Sequence, residues 1–152
     1  MKILLLPLFV LIGIAAVAQQ TLQERLGYPK TAKLLIIHAD DLGVAHSEDN
    51  ASFRALEKGS VSSASIMVPC PWFSEVASYA ATHTKADLGL HLTLTSEWNF
   101  FKWGPVADKQ DVPGLVNKMG YFFSSVDSVI KSSNATEVEK ELRAQIEKAR
   151  KA

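Results

Sequence analysis

The sequence contains a single cysteine and no excess of charge of either sign. One cysteine, Cys70, cannot form an internal disulfide, which excludes the small disulfide-stapled scaffolds found among secreted proteins. Cys70 lies between two prolines and near Trp72, and we expect it to be a small buried hydrophobic residue. The 16 basic and 16 acidic residues balance, so the sequence offers no electrostatic basis for binding nucleic acid.

Long apolar runs are also absent, with one exception at the N-terminus. Residues 1–2 are a short positive start, residues 3–15 are almost uninterruptedly apolar, and residues 16–18 (AVA) fit a signal-peptidase site. This run is shorter than the roughly 20 residues of a membrane-spanning helix, which favours a cleaved signal over an anchor. The sequence therefore predicts a signal peptide over residues 1–18 and an exported protein, periplasmic or extracellular, without a stable membrane anchor.

The rest of the sequence alternates between strand-like and helix-like patterns. Two units each consist of a short apolar run followed by apolar residues at helical spacing, and a third strand-like segment follows them. After a polar lead-in over residues 19–32, the predicted strands cover residues 33–39, 63–68 and 87–95, and the predicted helices cover residues 48–58, with Ser47 as N-cap, and 72–83. This order predicts an α/β fold with parallel strands.

The third predicted strand shows the clearest alternation in the chain. Its leucines occupy the even positions from 88 to 94, whereas Gly89, His91 and Thr93 occupy the opposite face. In a parallel barrel, we expect the leucine face to pack beneath the helices and His91 to point to the interior or the mouth.

A long segment over residues 96–125 interrupts this rhythm with several glycines, prolines and aromatic residues. A loop of this length in a compact domain is usually functional. Thr136 and Glu139 then suggest a capping box, and an apolar stripe predicts a last amphipathic helix down to residue 152. Because about three strands are too few to close a sheet, we expect the chain to be the N-terminal part of a longer protein. A small complete three-layer domain is the alternative.

Two adjacent carboxylates, Asp40 and Asp41, follow the first predicted strand. One carboxylate can bind a divalent cation while a second accepts a proton from the water on that cation, although acidic pairs also cap helices. His91, at the matching position two strands later, would add an imidazole ligand. One carboxylate and one imidazole make an incomplete site, because a catalytic zinc usually has three protein ligands.

Four motifs in this order resemble the YdjC-like carbohydrate deacetylases, a family of chitooligosaccharide deacetylases. They are HADDLG at residues 38–43, SASIMV at 63–68, GLHLTLT at 89–95 and VPGLVNKMGYFF at 112–123. The resemblance implies that residues 33–152 are the N-terminal part of a distorted TIM-type (β/α) barrel about twice as long.

By position in these motifs, the resemblance implies that Asp40 is the general base and that Asp41 and His91 are metal ligands. It also implies one divalent cation, Mg²⁺ or Zn²⁺, an N-acetylated oligosaccharide as substrate, and compatibility with a homodimer. The family's remaining metal histidine and its proton donor come from later strands. The resemblance therefore implies a hydrolase of which residues 1–152 alone would be inactive.

The remaining candidates each have a structural explanation beside a functional one. Trp98, Trp103 and Tyr121 could stack on sugar rings or pack within the loop. Three histidines outside the motif positions are expected to be structural: a packed, hydrogen-bonded His38, a solvated His46, and a His83 that interacts with a helix dipole.

Two other protein classes stay open at this point. One is a non-catalytic envelope carbohydrate-binding module that uses the aromatic loop and retains vestigial acids. The other is an aspartyl phosphotransfer domain, which export and the unexplained His91 disfavour. Metal-dependent acetate release distinguishes the deacetylase from the binding module, whereas acid-labile phosphate on Asp40 or Asp41 would identify phosphotransfer.

Overall fold

The computed structural model describes residues 19–152, and the predicted signal peptide lies outside the described residues. The chain divides into two units, with the boundary in the sequence between Leu35 and Ile36. In the lead-in, a four-residue helix, α1 (Leu22–Arg25), begins at a capping box in which the Glu24 carboxylate accepts from the Thr21 backbone N–H at 2.8 Å. In the part of the chain described, no helix is long and apolar enough to cross a membrane.

The larger unit is built on a three-stranded parallel sheet in the order β1, β2, β3. The strands are β1 (His38–Leu42), β2 (Ser63–Ile66) and β3 (Leu88–Leu90), joined by the helices α2 (His46–Glu57) and α3 (Phe73–Thr82). Parallel neighbours need such crossover helices, because a tight hairpin can only join antiparallel strands. The predicted parallel α/β fold is thus confirmed.

The first strand begins five residues later than its apolar pattern predicted. β1 starts at His38, which pairs with Ser63, whereas Leu35 and Ile36 are 81% and 76% exposed. Apolar residues form a strand only where a partner offers backbone groups to pair with, and β2 lies opposite residues 38–42. The apolar pattern indicates the propensity of residues 33–39 to form a strand, but it does not indicate where β2 lies along them.

Apolar side chains of β1 and β2 pack beneath the crossover helices. Leu42, Ala64 and Ile66 form one buried cluster with Phe73 and Val76 of α3. A second cluster joins the long segment after β3 to the sheet, and it contains Val44, Met67, Cys70, Trp103, Leu115 and Phe122. Cys70 is 3% exposed in this cluster, which confirms its expected role as a buried hydrophobic residue.

The third strand is shorter than the alternation suggested, since β3 ends at Leu90. The even-numbered leucines do not share one environment: Leu88 and Leu94 pack against the two clusters, whereas Leu90 and Leu92 are 37% and 41% exposed. Beyond Leu90, no strand among residues 19–152 continues the pairing, so the chain leaves the sheet direction and the alternation is lost.

Two helix starts differ from the predicted caps. α2 begins at His46 after Ala45, and Ser47 lies within its first turn. The last helix, α5 (Ala135–Lys151), follows a short helix, α4 (Val126–Ser132), and is capped by Asn134 rather than Thr136. The Asn134 amide oxygen accepts from the Glu137 N–H at 3.1 Å, and the Glu137 carboxylate accepts from the Asn134 N–H at 3.0 Å. Asparagine caps at least as well as threonine, so the capping box lies two residues earlier.

Candidate metal and catalytic site

Asp41 occupies an irregular position at the end of β1. Its φ is +61°, and the pairing register between β1 and β2 shifts between Ala39 and Leu42. Regular alternation would turn the Asp41 side chain to the helix-covered face with Ala39. The left-handed backbone turns the side chain away from that face. A residue other than glycine is strained in this conformation, which persists only where the surrounding structure enforces it.

The Asp41 carboxylate lies directly beside His91, as the sequence predicted for two strand ends. Asp41 Oδ1 is 3.0 Å from the ring atom His91 Nδ1. The backbone N–H of His91 donates to the Ile66 carbonyl at 2.9 Å. Within the described residues, this Nδ1 is buried and has no hydrogen-bond partner, so the two atoms are close without the orientation of a hydrogen bond. The structure therefore brings together the two candidate ligands and leaves one donor atom unsatisfied.

The pair fits a divalent cation. Two ligand atoms about 2.1 Å from an octahedral ion and at right angles to each other are about 3.0 Å apart, the separation found here. Among residues 19–152, no group of three or more His, Cys, Asp and Glu side chains is arranged to hold a metal. Asp41 and His91 thus offer two candidate ligand atoms, fewer than the three protein ligands that a catalytic zinc usually has.

A cleft of about 440 Å³ opens beside Asp41 and His91. Its wall contains a further carboxylate, Glu97, and the apolar side chains of Met67, Leu94, Val129 and Leu142. Burial raises the pKa of Asp41, His91 lowers it, and the neighbouring Asp40 and Glu97 raise it further. A cation bound here would relieve this repulsion between carboxylates.

Glu48, in the first turn of α2, also belongs to this acidic environment. Burial, followed by the charges of Asp41, Asp49 and Asp40, raises its pKa to about 7. A glutamate in the first turn of a helix ordinarily indicates only a favourable interaction with the helix dipole, so no sequence pattern distinguishes Glu48. Its perturbation arises from carboxylates that the fold gathers around it.

Asp49 supports the turn that follows Asp41. Its carboxylate is fully buried and accepts from the Gly43 N–H at 2.6 Å. Gly43 has a φ of +102°, and a Cβ atom there would lie 3.1 Å from the Met67 carbonyl oxygen, so glycine suits this turn. Burial raises the pKa of Asp49 and the Gly43 hydrogen bond lowers it.

Asp40 is exposed on the side of β1 that carries His38. The two ring nitrogens of His38 lie 2.7 Å and 3.0 Å from the hydroxyl oxygens of Ser63 and Ser65 on β2. The expected hydrogen-bonded role of His38 is therefore confirmed, although its side chain is exposed rather than packed. The exposed Asp40 carboxylate remains accessible to water beside the candidate ligands.

The other histidines and the cysteine do not join this pair of ligands. His46 is solvated as expected, with its side chain 56% exposed, but it is the first residue of α2 rather than a loop residue and pairs with Glu75 at 2.7 Å. His83 follows the last residue of α3, as predicted. Burial raises the pKa of the Cys70 thiol, which keeps the sulfur protonated and unsuited to bind a metal.

The aromatic candidates divide into exposed and buried residues. Trp98 and Tyr121 are each 37% exposed. Trp103 is 2% exposed, and its indole N–H donates to the Thr95 carbonyl at 2.8 Å. Its proposed sugar-stacking role is corrected, because a side chain buried in the core cannot present a face to a ligand.

Sequence reasoning missed a buried polar stripe on α5. Gln145, fully buried, accepts from the Thr93 N–H at 3.2 Å and donates to the Thr93 carbonyl at 2.7 Å. Glu141, also fully buried, accepts from the N–H groups of Val106 and Ala107 at 3.0 Å and 2.9 Å. These side chains satisfy the backbone of the irregular segment directly after His91. Their spacing of four residues is the available signal, but polar side chains at such a spacing ordinarily form the solvent-exposed face of a helix.

Comparison with known proteins identifies the family. A model for YdjC-like proteins matches residues 34–152. The carbohydrate deacetylase of Thermus thermophilus is 38% identical over 130 residues, which cover 86% of this chain and 44% of that protein. The carbohydrate deacetylase of Brevibacillus brevis is 36% identical over 112 residues, covering 74% of this chain and 42% of that protein.

A solved structure shares the fold of the matched part of this chain. A protein from Enterococcus faecalis V583, provisionally described as a cellobiose-phosphate cleavage protein, matches with a TM-score of 0.66 and 31% identity. The match covers 76% of this chain and 43% of that one, so the chain spans less than half the length of these relatives. The resemblance seen in four motifs is confirmed, and the chain belongs to the YdjC-like protein family.

Proposed function

We propose that this chain supplies the N-terminal half of the active site of a metal-dependent carbohydrate N-deacetylase. The observation that carries the proposal is the contact of Asp41 Oδ1 with an otherwise unsatisfied His91 Nδ1 at 3.0 Å, directly after Asp40. The names of the similar curated proteins support deacetylation of sugars as the reaction. The carboxylate oxygen of Asp41 and the ring nitrogen of His91 support the proposed metal dependence.

Asp41 and His91 would hold the cation, Mg²⁺ or Zn²⁺, through a carboxylate oxygen and a ring nitrogen. When bound, the cation would supply Lewis acidity that lowers the pKa of a water molecule and polarises the acetamide carbonyl. Asp40, exposed beside the ligands, accepts the proton of the water that attacks the carbonyl carbon. The carbon–nitrogen bond would then break as the leaving nitrogen takes up a proton, from a donor that the resemblance places on a later strand, and acetate and the free amino sugar would leave.

The substrate we propose is an N-acetylated sugar or chitooligosaccharide. Its acetamide group would enter the cleft of about 440 Å³, whose wall is mainly apolar around the Asp41 and His91 side chains. Trp98 and Tyr121, both exposed, are of the residue type whose rings stack on the apolar faces of sugars. An exported protein would meet such polymers outside the cytoplasm.

Metal binding and acetate release test the proposal with two matched variants. Asp41→Asn should weaken zinc binding by at least about 100-fold, because a ligand is lost, whereas Asp40→Asn should leave zinc binding unchanged. In any form of the protein that releases acetate from N-acetylated chitooligosaccharides, Asp40→Asn should abolish the release. If Asp40→Asn loses zinc and Asp41→Asn keeps it, the two roles are reversed. Equal zinc binding by all forms contradicts the site.

A further inference from the structure

An exposed aromatic residue is attached to the turn that carries Asp41. Trp72 directly precedes α3 and is 43% exposed. Its backbone N–H donates to the Gly43 carbonyl at 2.8 Å, two residues after Asp41. The Gly43 N–H is in turn bound by the buried Asp49 carboxylate. The backbone of Trp72 is thus fixed relative to the candidate catalytic turn, while its side chain reaches solvent.

A histidine with a fixed orientation lies beside this indole. The ring centroids of His46 and Trp72 are 5.2 Å apart with an interplanar angle of 37°. His46 Nδ1 is 2.7 Å from Glu75 Oε1, and the His46 side chain is 56% exposed. A neutral imidazole that donates from Nδ1 to a carboxylate presents Nε2 as a hydrogen-bond acceptor. Glu75 therefore orients an acceptor next to an exposed aromatic face.

We propose that Trp72, His46 and Glu75 form a second sugar subsite, which we call the Trp72 subsite. A pyranose ring has an apolar face of C–H groups and a rim of hydroxyl donors, and these match an indole face and an imidazole acceptor. None of the three residues lines the cleft beside Asp41 and His91. The subsite would hold a sugar adjacent to the one whose acetamide enters that cleft, and this inference rests on the proposed function.

The subsite predicts that affinity depends on chain length. We would titrate the chain with N-acetylglucosamine and its β-1,4-linked dimer and trimer by calorimetry, with and without Zn²⁺. The trimer should bind at least about tenfold more tightly than the monomer, a difference of about 1.4 kcal/mol. Trp72→Ala should remove this gain, and Trp72→Phe should retain part of it. Phe100→Ala, which removes another exposed aromatic side chain, should bind as the unaltered chain does.

A second variant separates a binding role from a folding role. Glu75→Gln keeps the size of the side chain but weakens its hold on His46, and it should lower trimer affinity without changing monomer affinity. If Trp72→Ala is folded and binds the trimer as tightly as the unaltered chain, the subsite is wrong even where acetate is still released. If trimer binding depends on Trp72 but Asp41→Asn binds zinc as tightly as the unaltered chain, the subsite stands and the proposed metal site fails. Absence of any sugar binding by the unaltered chain overturns the subsite.

Discussion

Among residues 19–152, Asp41 is the only residue other than glycine with a positive φ, at 61°. An L-residue with a Cβ atom pays about 1–2 kcal/mol in this conformation, although aspartate tolerates it better than most because its side chain can bond locally. The strain is located on the residue that contacts His91. We infer that the fold holds Asp41 in this conformation to aim its carboxylate at the site.

Two substitutions that both remove the Asp41 carboxylate should separate this strain from metal binding. Asp41→Gly should be about 0.5–1 kcal/mol more stable than Asp41→Ala, because glycine adopts a positive φ freely and alanine does not. Urea unfolding of the metal-free variants measures the difference, and both should lose zinc binding equally. An Asp41→Ala variant as stable as Asp41→Gly would show that the left-handed backbone is not maintained in solution.

Glu48 gives the site a pH-dependent contribution to stability. Its pKa is about 7 in the folded protein against an ordinary value of 4.5, so the folded state holds this proton more tightly. Stability from this group is complete below about pH 4.5 and is lost as the pH rises towards 7. Glu48→Gln should remove this loss of stability at high pH. Because solvent screens the partly exposed carboxylate, the variant should be about 1 kcal/mol more stable than the unaltered chain at pH 8.

Urea unfolding of the metal-free protein at pH 5 and pH 8 checks this expectation. Glu139→Gln, exposed on α5 and paired with Arg143, which stays charged at both pH values, is the matched control and should show the same pH dependence as the unaltered chain. Equal pH dependence of Glu48→Gln and the unaltered chain would show that Glu48 is solvated and that the carboxylate cluster does not act on it.

At the scale of elements, α5 holds the irregular segment that follows His91. Residues at this depth are usually apolar, yet the buried face of α5 presents Glu137, Glu141 and Gln145. Each binds backbone groups: Glu137 reaches Gly114, and Gln145 reaches Thr93. In a regular sheet, the backbone of a neighbouring strand would form hydrogen bonds with these N–H and carbonyl groups. Here the polar side chains of α5 form those hydrogen bonds, because the segment has no regular strand pairing.

Gln145→Leu should therefore affect both stability and the site. It leaves the Thr93 N–H and carbonyl without partners in a buried place, which should reduce the free energy of unfolding by about 2 kcal/mol. Because Thr93 is two residues from His91, zinc affinity should also fall. Arg143→Ala on the exposed side of α5 should change neither by more than about 0.5 kcal/mol. Loss of stability with unchanged zinc affinity would limit Gln145 to a structural role.

For the whole molecule, the sheet has two edges and exposed apolar residues beside each. Ile37 before β1 is 49% exposed, and Leu92 after β3 is 41% exposed. Apolar residues next to unpaired strand edges tend to find another partner. The relatives are more than twice as long as the matched part of this chain, and the resemblance assigns the remaining metal ligand to the part beyond the match.

A chimera tests whether residues 36–152 form a working active site together with the remaining part of a longer relative. Residues 36–152 joined to the unmatched part of the Thermus thermophilus relative should bind zinc more tightly than the chain alone, since the ligand set is completed. The chimera should also bind less of a hydrophobic dye, because the edge residues become covered. Acetate release that disappears with Asp40→Asn is the expected activity. A folded chimera with no gain in zinc affinity would contradict the shared site.

Much of the site could be predicted because parallel order constrains it. When strands alternate with crossover helices, their carboxyl ends meet at one edge, and this brings the backbone of Asp41 near that of His91. The left-handed conformation of Asp41, which the strand order does not predict, then turns its carboxylate to the imidazole. The roles of Glu48 and Gln145 could not be predicted in this way. They depend on side chains from elements distant in the sequence, which no local pattern records.

The order of strands and helices, the family, and the residues placed at the strand ends can all be read from the amino-acid sequence. These follow from local apolar periodicity and motif spacing, which are properties of the covalent chain. In contrast, the start of β1, the burial of Trp103 and the left-handed backbone of Asp41 are established by the folded chain. Each of these depends on which remote groups are available for pairing and packing, and that is settled when the elements assemble.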